Sequence, residues 1–349
     1  MSNIYLSSSD GYGPPENLYH LLRVFGYAHI KNIVPIDVLD SLLDKIKVIL
    51  GQRGLLSHNA NSAIHIKHGL TLKKGDEIFE EIFHDIYKIP EVHMLPHVDS
   101  IKNLISAIYR EEALALPAHM IRLLFPDDRS GYSIATPYHQ DYPGSQGSER
   151  ALTVWCPLES YEPISGTLAF ASKRHREGIF DVGISDRNIF EITENYSSDE
   201  VIGAVNKGDI LLFTAFTPHR SLPNKSSRLR ISIDFRFQPI SDPVSNMFVS
   251  DWNPIANCSW DDIYKRSGDL PENIKYYWRG RFNKIYAHNN IYLERELRTA
   301  IESANQGNVE AYSVLRCALD GDGVPYSLKR RARSALKFIM RSQTAKYNY

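Results

Sequence analysis

Apolar positions change their period twice along the chain. Asn17 to Val24 reads as a short helix stopped at Gly26, and Tyr27-Ala28-His29-Ile30 as a strand. After Pro35, residues Val38, Leu39, Leu42, Leu43, Ile46, Val48 and Ile49 form one helical face, with proline opening the helix. Residues 51–76 are irregular and polar. Residues 77–113 return to helical spacing, broken at Pro90 and Pro96. From His119 the period becomes two, and strands are predicted over 119–125, 132–142, 151–158, 166–171, 209–217 and 228–237. Turn signals divide them: Asp127-Asp128, Pro143-Gly144, Pro163 to Gly166, Lys207-Gly208-Asp209 and Pro223 to Ser226. Beyond about residue 258 the spacing is helical again.

A β core with helices before and after it predicts an α+β barrel or double-sheet jelly roll, its N-terminal helices packed on one sheet. Residues 1–257 are expected to form this domain and residues 258–349 a helical extension. The connection 172–207 is long for a loop and is read as a lid over a site. Near the C-terminus, Lys329, Arg330, Arg331, Arg333, Lys337 and Arg341 surround Ala332, Leu336, Ile339 and Met340. This predicts a helix with a solvated basic face, and the extension is a candidate contact between copies of the chain.

Composition narrows the function. The 349 residues suffice for a large core, and 43% hydrophobic with 23% charged residues is ordinary for a globular protein. A net charge of -1 gives no bulk attraction to nucleic acid or an anionic membrane. No apolar run approaches the roughly 20 residues of a membrane span. The first twenty residues lack the basic and apolar regions of a signal peptide. Cys156, Cys258 and Cys317 are scattered, which favours a reducing compartment over a disulfide framework or a zinc-thiolate site. A cytoplasmic protein acting on a small molecule is the expectation.

The candidate chemistry lies in Tyr138-His139-Gln140-Asp141. On a strand, residues i and i+2 face the same side, so His139 and Asp141 can share one centre. His219, at the end of Asp209 to Thr217, is the candidate third ligand. Two imidazoles and one carboxylate make the facial triad of non-heme Fe(II) oxygenases. His97-Val98-Asp99 and His175-Arg176-Glu177 have similar spacing, but the first precedes a helix, with Asp99 or Ser100 as its N-cap, that would separate the pair. His65 and His68 read as a solvated loop pair. Eleven positions after His219 comes Arg230, in the alternating run Arg228 to Phe237. Ile231, Ile233, Phe235 and Phe237 share one face, and Arg228, Arg230, Ser232, Asp234 and Arg236 the other. In a barrel that polar row can face a ligand, where an arginine grips a carboxylate with two N–H groups.

In this order, the runs Thr136 to Asp141, Leu152 to Leu158, Gly166 to Leu168, Gly208 to Phe213, His219 to Ser226 and Arg230 resemble the phytanoyl-CoA dioxygenase-like branch of the Fe(II)/2-oxoglutarate dioxygenases. The resemblance spans roughly Phe25 to Gln238. It implies a double-stranded β-helix of the jelly-roll, cupin-like kind. It implies His139, Asp141 and His219 as iron ligands, Arg230 as partner of the far carboxylate of 2-oxoglutarate, and Thr153 as a hydroxyl helping to bind it. The remaining iron positions would take 2-oxoglutarate and O2, giving succinate, CO2 and a hydroxylated product. Halogenating relatives lack the carboxylate ligand, so Asp141 favours hydroxylation or desaturation. His175 keeps a histidine of the family's turn, without its glycine, and reads as structural or pocket-wall.

Two other readings compete. A cupin-like metal enzyme without 2-oxoglutarate would not need Arg230. A non-catalytic scaffold would act through the C-terminal helices. The segment Pro143 to Ser148, small and polar, is expected to line the entrance, with Tyr138, Tyr142 and Trp155 as aromatic walls. This favours a polar small molecule of a secondary-metabolite pathway over a long acyl chain.

Overall fold

The computed structural model describes residues 5–6, 15–57, 64–67, 70, 72, 76–126, 135–180, 182–184, 190–192, 200–253, 255–256, 258–282, 285–286, 301, 304–305, 315, 330 and 332–337. By internal contacts the chain divides into two units. One holds Met1–Gly178 with Asn195–Tyr286, the other Ile179–Glu194 with Ala287–Tyr349.

The two main sheets of the first unit are built from β1 (Tyr5–Leu6), β2 (Tyr27–Ile30), β3 (Ala113–Ala115), β4 (Met120–Leu124), β5 (Leu152–Pro157), β6 (Leu168–Ala171), β9 (Glu200–Ile202), β10 (Ile210–Thr214), β11 (His219–Ser221) and β12 (Arg230–Pro239). The second unit inserts the hairpin β7 (Val182–Ile184) and β8 (Phe190–Ile192). The major sheet runs β1-β2-β10-β5-β12-β3, with β4 also on β12, and is antiparallel except at β1. The minor sheet runs β11-β6-β9. This is the jelly roll expected from the period-two stretches.

Alternation on the central strands separates two environments. Val154 and Cys156 of β5, Ile210 and Leu212 of β10, and Ile231, Ile233, Phe235 and Phe237 of β12 join one large apolar core. That core contains the apolar faces of helices α2 (Ile36–Gln52), α3 (Glu77–Tyr87) and α5 (Asp99–Tyr109), through Leu39, Leu42, Ile46, Ile82, Ile86, Ile101 and Ile105. Helix α1 (Pro15–Phe25) adds Leu18 and Leu22. Trp155, Leu211 and Phe213, one position out of phase, meet Leu168, Phe170 and Val205 of the other wall in a smaller cluster. A one-residue slip on β5 or β10 would exchange the two sets, so burial on both faces fixes the register.

Three expectations need correction. Residues 135–142 do not form a strand; the only pairing there is the single bridge His139 to His219, and 132–134 lie outside the described residues. Asp141 has helical dihedrals, φ -73 and ψ -31, and starts the short helix α6 (Tyr142–Ser145). Pro143 fits the first turn of that helix but cannot donate within a sheet ladder. The connection 172–207 is not one open loop, because its residues 200–202 complete the minor sheet. In the α5 region Val98, not Asp99 or Ser100, caps the helix, and the Ser100 hydroxyl donates to the Ile33 carbonyl instead.

The second unit buries Ile301, Ala304, Leu315, Ala332, Ala335 and Leu336. Residues 332–337 are helical, with Arg330, Arg333 and Lys337 exposed, which is the solvated basic face expected there. Among the described residues no helix is long and apolar enough to cross a membrane.

The helix-side core also buries imidazoles. Burial pushes His93 and His97 down to about 4, and His119 well below its ordinary value. An unfolded histidine protonates near 6.5, so stability is complete above about pH 6.5 and is lost as pH falls toward 4. Each of His93 and His97 should cost roughly 2 kcal/mol at pH 5. Urea midpoints at pH 7 and pH 5 should differ accordingly, and His93→Phe should reduce the difference. Equal midpoints would show that these imidazoles are not held neutral.

Candidate metal centre and cosubstrate site

His139, Asp141 and His219 come together, each offering a ligand atom within 4.8 Å of the others. Two different backbones place them. His219 begins β11, and the bridge at 3.0 Å in both directions ties it to His139. The helical turn at α6 then swings the Asp141 carboxylate back, with Oδ1 3.7 Å from His139 Nε2. The i, i+2 spacing therefore works through a bend.

Both imidazoles are fixed in one tautomer. His139 Nδ1 donates to the Pro137 carbonyl and His219 Nδ1 to the Thr217 carbonyl, each at 2.9 Å. Each Nε2 is thereby left with its lone pair toward the centre, as metal-ligating histidines require. Burial pushes His139 down to about 3, with His219 beside it adding to the effect, and lowers His219 as well. Burial alone would raise the Asp141 carboxyl, but the Arg236 guanidinium and the two imidazoles hold it well below the carboxylate range. Neutral imidazoles and an ionised carboxylate are the protonation states a divalent metal needs.

Asp141 has a partner on each oxygen. Thr153 donates its hydroxyl to Oδ2 at 2.6 Å, and Arg236 Nη2 donates to Oδ1 at 2.9 Å. Arg236 and Thr153 are cross-strand partners on β12 and β5, so they arrive from one face of the major sheet. The Thr153 hydroxyl is thus engaged by the ligand carboxylate. Arg236 has this role by geometry, and its only sequence signal was its inward parity on β12.

The polar row of β12 faces inward. Arg230, Ser232 and Asp234 are buried, and Arg230 and Asp234, with Trp155, Leu168, Phe213 and Arg122, line one cavity with the triad. Arg230 Nη1 donates to Ser232 Oγ at 2.8 Å, and its guanidinium lies 5.9 Å from the centre of the Trp155 ring. Its Nε is buried without a protein partner, and burial pushes the group down to about 10. A buried cation short of counter-charge suits a carboxylate ligand. A larger cavity of about 710 Å³, against Tyr19, Leu22, Tyr109 and Leu152, contains none of the triad.

Several other candidates fall elsewhere. Ser145, Gln146 and Ser148 of the 143–148 segment are buried, and none of that segment is among the residues lining the cavity. Gly147, at φ +80, sits so close to Ser245 that a Cβ would lie 2.7 Å from its backbone nitrogen. The small residues there serve close packing. Tyr142 stacks on Phe216 at 4.6 Å, and Trp155 alone of the three aromatics lines the cavity. His175 Nε2 hydrogen-bonds the Arg23 carbonyl from a short 3-10 turn, and His65 pairs by a bridge with Arg228. His58 and His68 lie outside the described residues.

One carboxylate braces both histidines from behind. Tyr138, preceding His139, donates to Glu200 Oε1 at 2.6 Å; Arg220, following His219, donates to both oxygens of Glu200 at 2.5 and 3.0 Å. Glu200→Gln should weaken metal binding on the order of tenfold, with the fold retained. Calorimetric Fe(II) titration under nitrogen measures this, and an unchanged affinity would show that the brace does not reach the ligands.

Comparisons with known proteins identify the family. The phytanoyl-CoA dioxygenase (PhyH) family matches residues 22–232. The chain is 25% identical over 262 residues to a 1-deoxypentalenic acid 11-beta-hydroxylase of Streptomyces arenae, covering 70% of this chain and 89% of that protein. It is 29% identical over 155 residues to the hydroxylase of the same name from Streptomyces exfoliatus, covering 40% of this chain and 53% of that one. Among solved structures, the apo form of the non-heme monooxygenase ThoJ aligns with a TM-score of 0.50 at 14% identity, over 93% of this chain and 99% of that one, a likeness of fold. The protein is an Fe(II)- and 2-oxoglutarate-dependent hydroxylase, and the chain belongs to the phytanoyl-CoA dioxygenase family.

Proposed function

We propose that His139, Asp141 and His219 hold Fe(II) and that Arg230 holds the far carboxylate of 2-oxoglutarate, for oxidation of a polar small molecule in a secondary-metabolite pathway. The observation that carries the site is the pair of Nδ1–carbonyl bonds, which leave two Nε2 lone pairs and one ionised carboxylate turned to a common point. Thr153 and Arg236 hold the Asp141 oxygens so that the carboxylate does not rotate. Arg230, stiffened by Ser232 and backed by Trp155, meets a carboxylate with a prearranged fork. When bound, iron, 2-oxoglutarate and O2 supply an oxidant strong enough for an unactivated C–H bond, with release of succinate and CO2. Asp141 fills the ligand position that a halogenating site would leave to chloride, so hydroxylation or desaturation is the expected outcome. Trp155, Leu168 and Phe213 are the apolar wall among the described residues.

The support for a polar substrate comes from Arg122 and Asp234 in the cavity lining, and not from residues 143–148. The hydroxylases from the two Streptomyces species are named for an acid, 1-deoxypentalenic acid, and a basic group in the cavity suits an acid. Purified enzyme should release succinate faster with compact polar candidates than with long-chain acyl-CoA. Tight binding and turnover of a long-chain acyl-CoA would overturn the substrate reading and leave the metal site standing.

A further inference from the structure

The charges inside the cavity do not balance, and the imbalance has a location. Among the described residues, Arg122, Arg230 and Arg236 bring three guanidiniums to the interior, and Asp141 and Asp234 bring two carboxylates. Both imidazoles spend their N–H on a backbone carbonyl and, as ligands through Nε2, carry no charge. Fe(II) and dianionic 2-oxoglutarate cancel each other. One positive charge is left over in a site that excludes much of the water, where an unmatched charge is costly.

Two of the three arginines are committed. Arg236 is on Asp141, and Arg230 is the deep carboxylate anchor. Arg122 differs. It stands opposite Ser232 on β4 and so faces inward, and its side chain is 30% exposed where Arg236 is 11%. Its Nε donates to Asp234 Oδ2 at 2.9 Å, and its Nη1 reaches Thr136 Oγ1 only at 3.5 Å. Its Nη2 has no hydrogen-bond partner among the described residues. Asp234 therefore fixes one edge of the guanidinium and leaves the other edge without a partner among the described residues.

Resting on the reading of the site as an Fe(II)/2-oxoglutarate centre, we propose that Arg122 is a specificity-determining residue that binds an anionic group of the substrate, so that the enzyme selects monoanionic, carboxylate-bearing small molecules. The free Nη edge provides charge-assisted hydrogen bonds, and Asp234 sets the angle at which the anion docks.

The test uses the full-length enzyme loaded anaerobically with Fe(II) and 2-oxoglutarate, read by its visible metal-to-ligand charge-transfer band. Cyclohexanecarboxylate and its uncharged analogue cyclohexanecarboxamide are the probes. In wild type the carboxylate should shift the band at roughly a tenth or less of the carboxamide concentration needed. In Arg122→Gln that preference should vanish, while 2-oxoglutarate half-saturation stays within about threefold of wild type. Equal potency of the two probes, no shift with either, or a retained preference in Arg122→Gln would overturn the proposal. So would bleaching of the band by the carboxylate, which marks competition for the Arg230 site. A half-saturation shift as large as that of Arg230→Ala would also overturn it, because Arg122 would then be a second cosubstrate anchor. Absence of the band in wild type would instead sink the underlying cofactor reading.

Discussion

His219→Ala is expected to abolish Fe(II) binding at any practical concentration. Losing a partner that merely orients a ligand costs about 10- to 100-fold in metal affinity, so losing one of three ligands should cost more than about 100-fold. The His219 ring also packs at 4.5 Å from the Phe213 ring, so the variant leaves a cavity and some stability is lost with it. His175→Ala is the informative control. It removes a histidine of similar sequence context, bound to the Arg23 carbonyl away from the triad, and should leave Fe(II) affinity unchanged. Anaerobic calorimetry on both variants separates the two cases. Retained Fe(II) binding in His219→Ala would mean that the triad is not the metal site.

Arg230→Ala should spare Fe(II) binding and raise the 2-oxoglutarate requirement at least about thirtyfold. Truncating one side of a buried charge pair costs about 2–5 kcal/mol. Arg230→Lys keeps the charge and loses the fork, and should fall between the two. Stability should move the opposite way. Arg230 is buried with its Nε unpaired, so the cosubstrate-free protein bears a desolvation cost that an apolar residue of similar length removes. Arg230→Met is therefore expected to unfold at a urea midpoint no lower than wild type while binding 2-oxoglutarate poorly. A large stability loss in Arg230→Met would show that the arginine is a packing residue of β12 and not a vacant anchor.

Much of this site was legible because β strands alternate. The run Arg228 to Phe237 wrote both faces of β12, apolar toward the helices and polar toward the cavity, into one sequence pattern. His219 was legible as the end of an apolar strand, and Arg230 by its distance from it. The backbone at Asp141 was not. Spacing alone says that two residues share a face on a strand, and says nothing of a helical turn started by Asp141 that reaches the same point. Arg236 was visible as an inward position and Arg122 only as part of a strand, and both gained roles only from contacts between β12, β5, β4 and the 136–141 segment, far apart in sequence. The packing of Gly147 and Ser148 against residues 242–245 is another such contact, and it takes those small residues out of the cavity lining.

The most direct measurement is anaerobic titration of wild type, His219→Ala and Arg230→Ala with Fe(II) and 2-oxoglutarate, following the charge-transfer band of the iron–cosubstrate chelate. A band in wild type, absent in His219→Ala, and displaced to far higher 2-oxoglutarate in Arg230→Ala is the predicted result. A wild-type protein that binds Fe(II) yet forms no band, or a band unaffected by either substitution, would contradict the assignment of these residues to iron and 2-oxoglutarate.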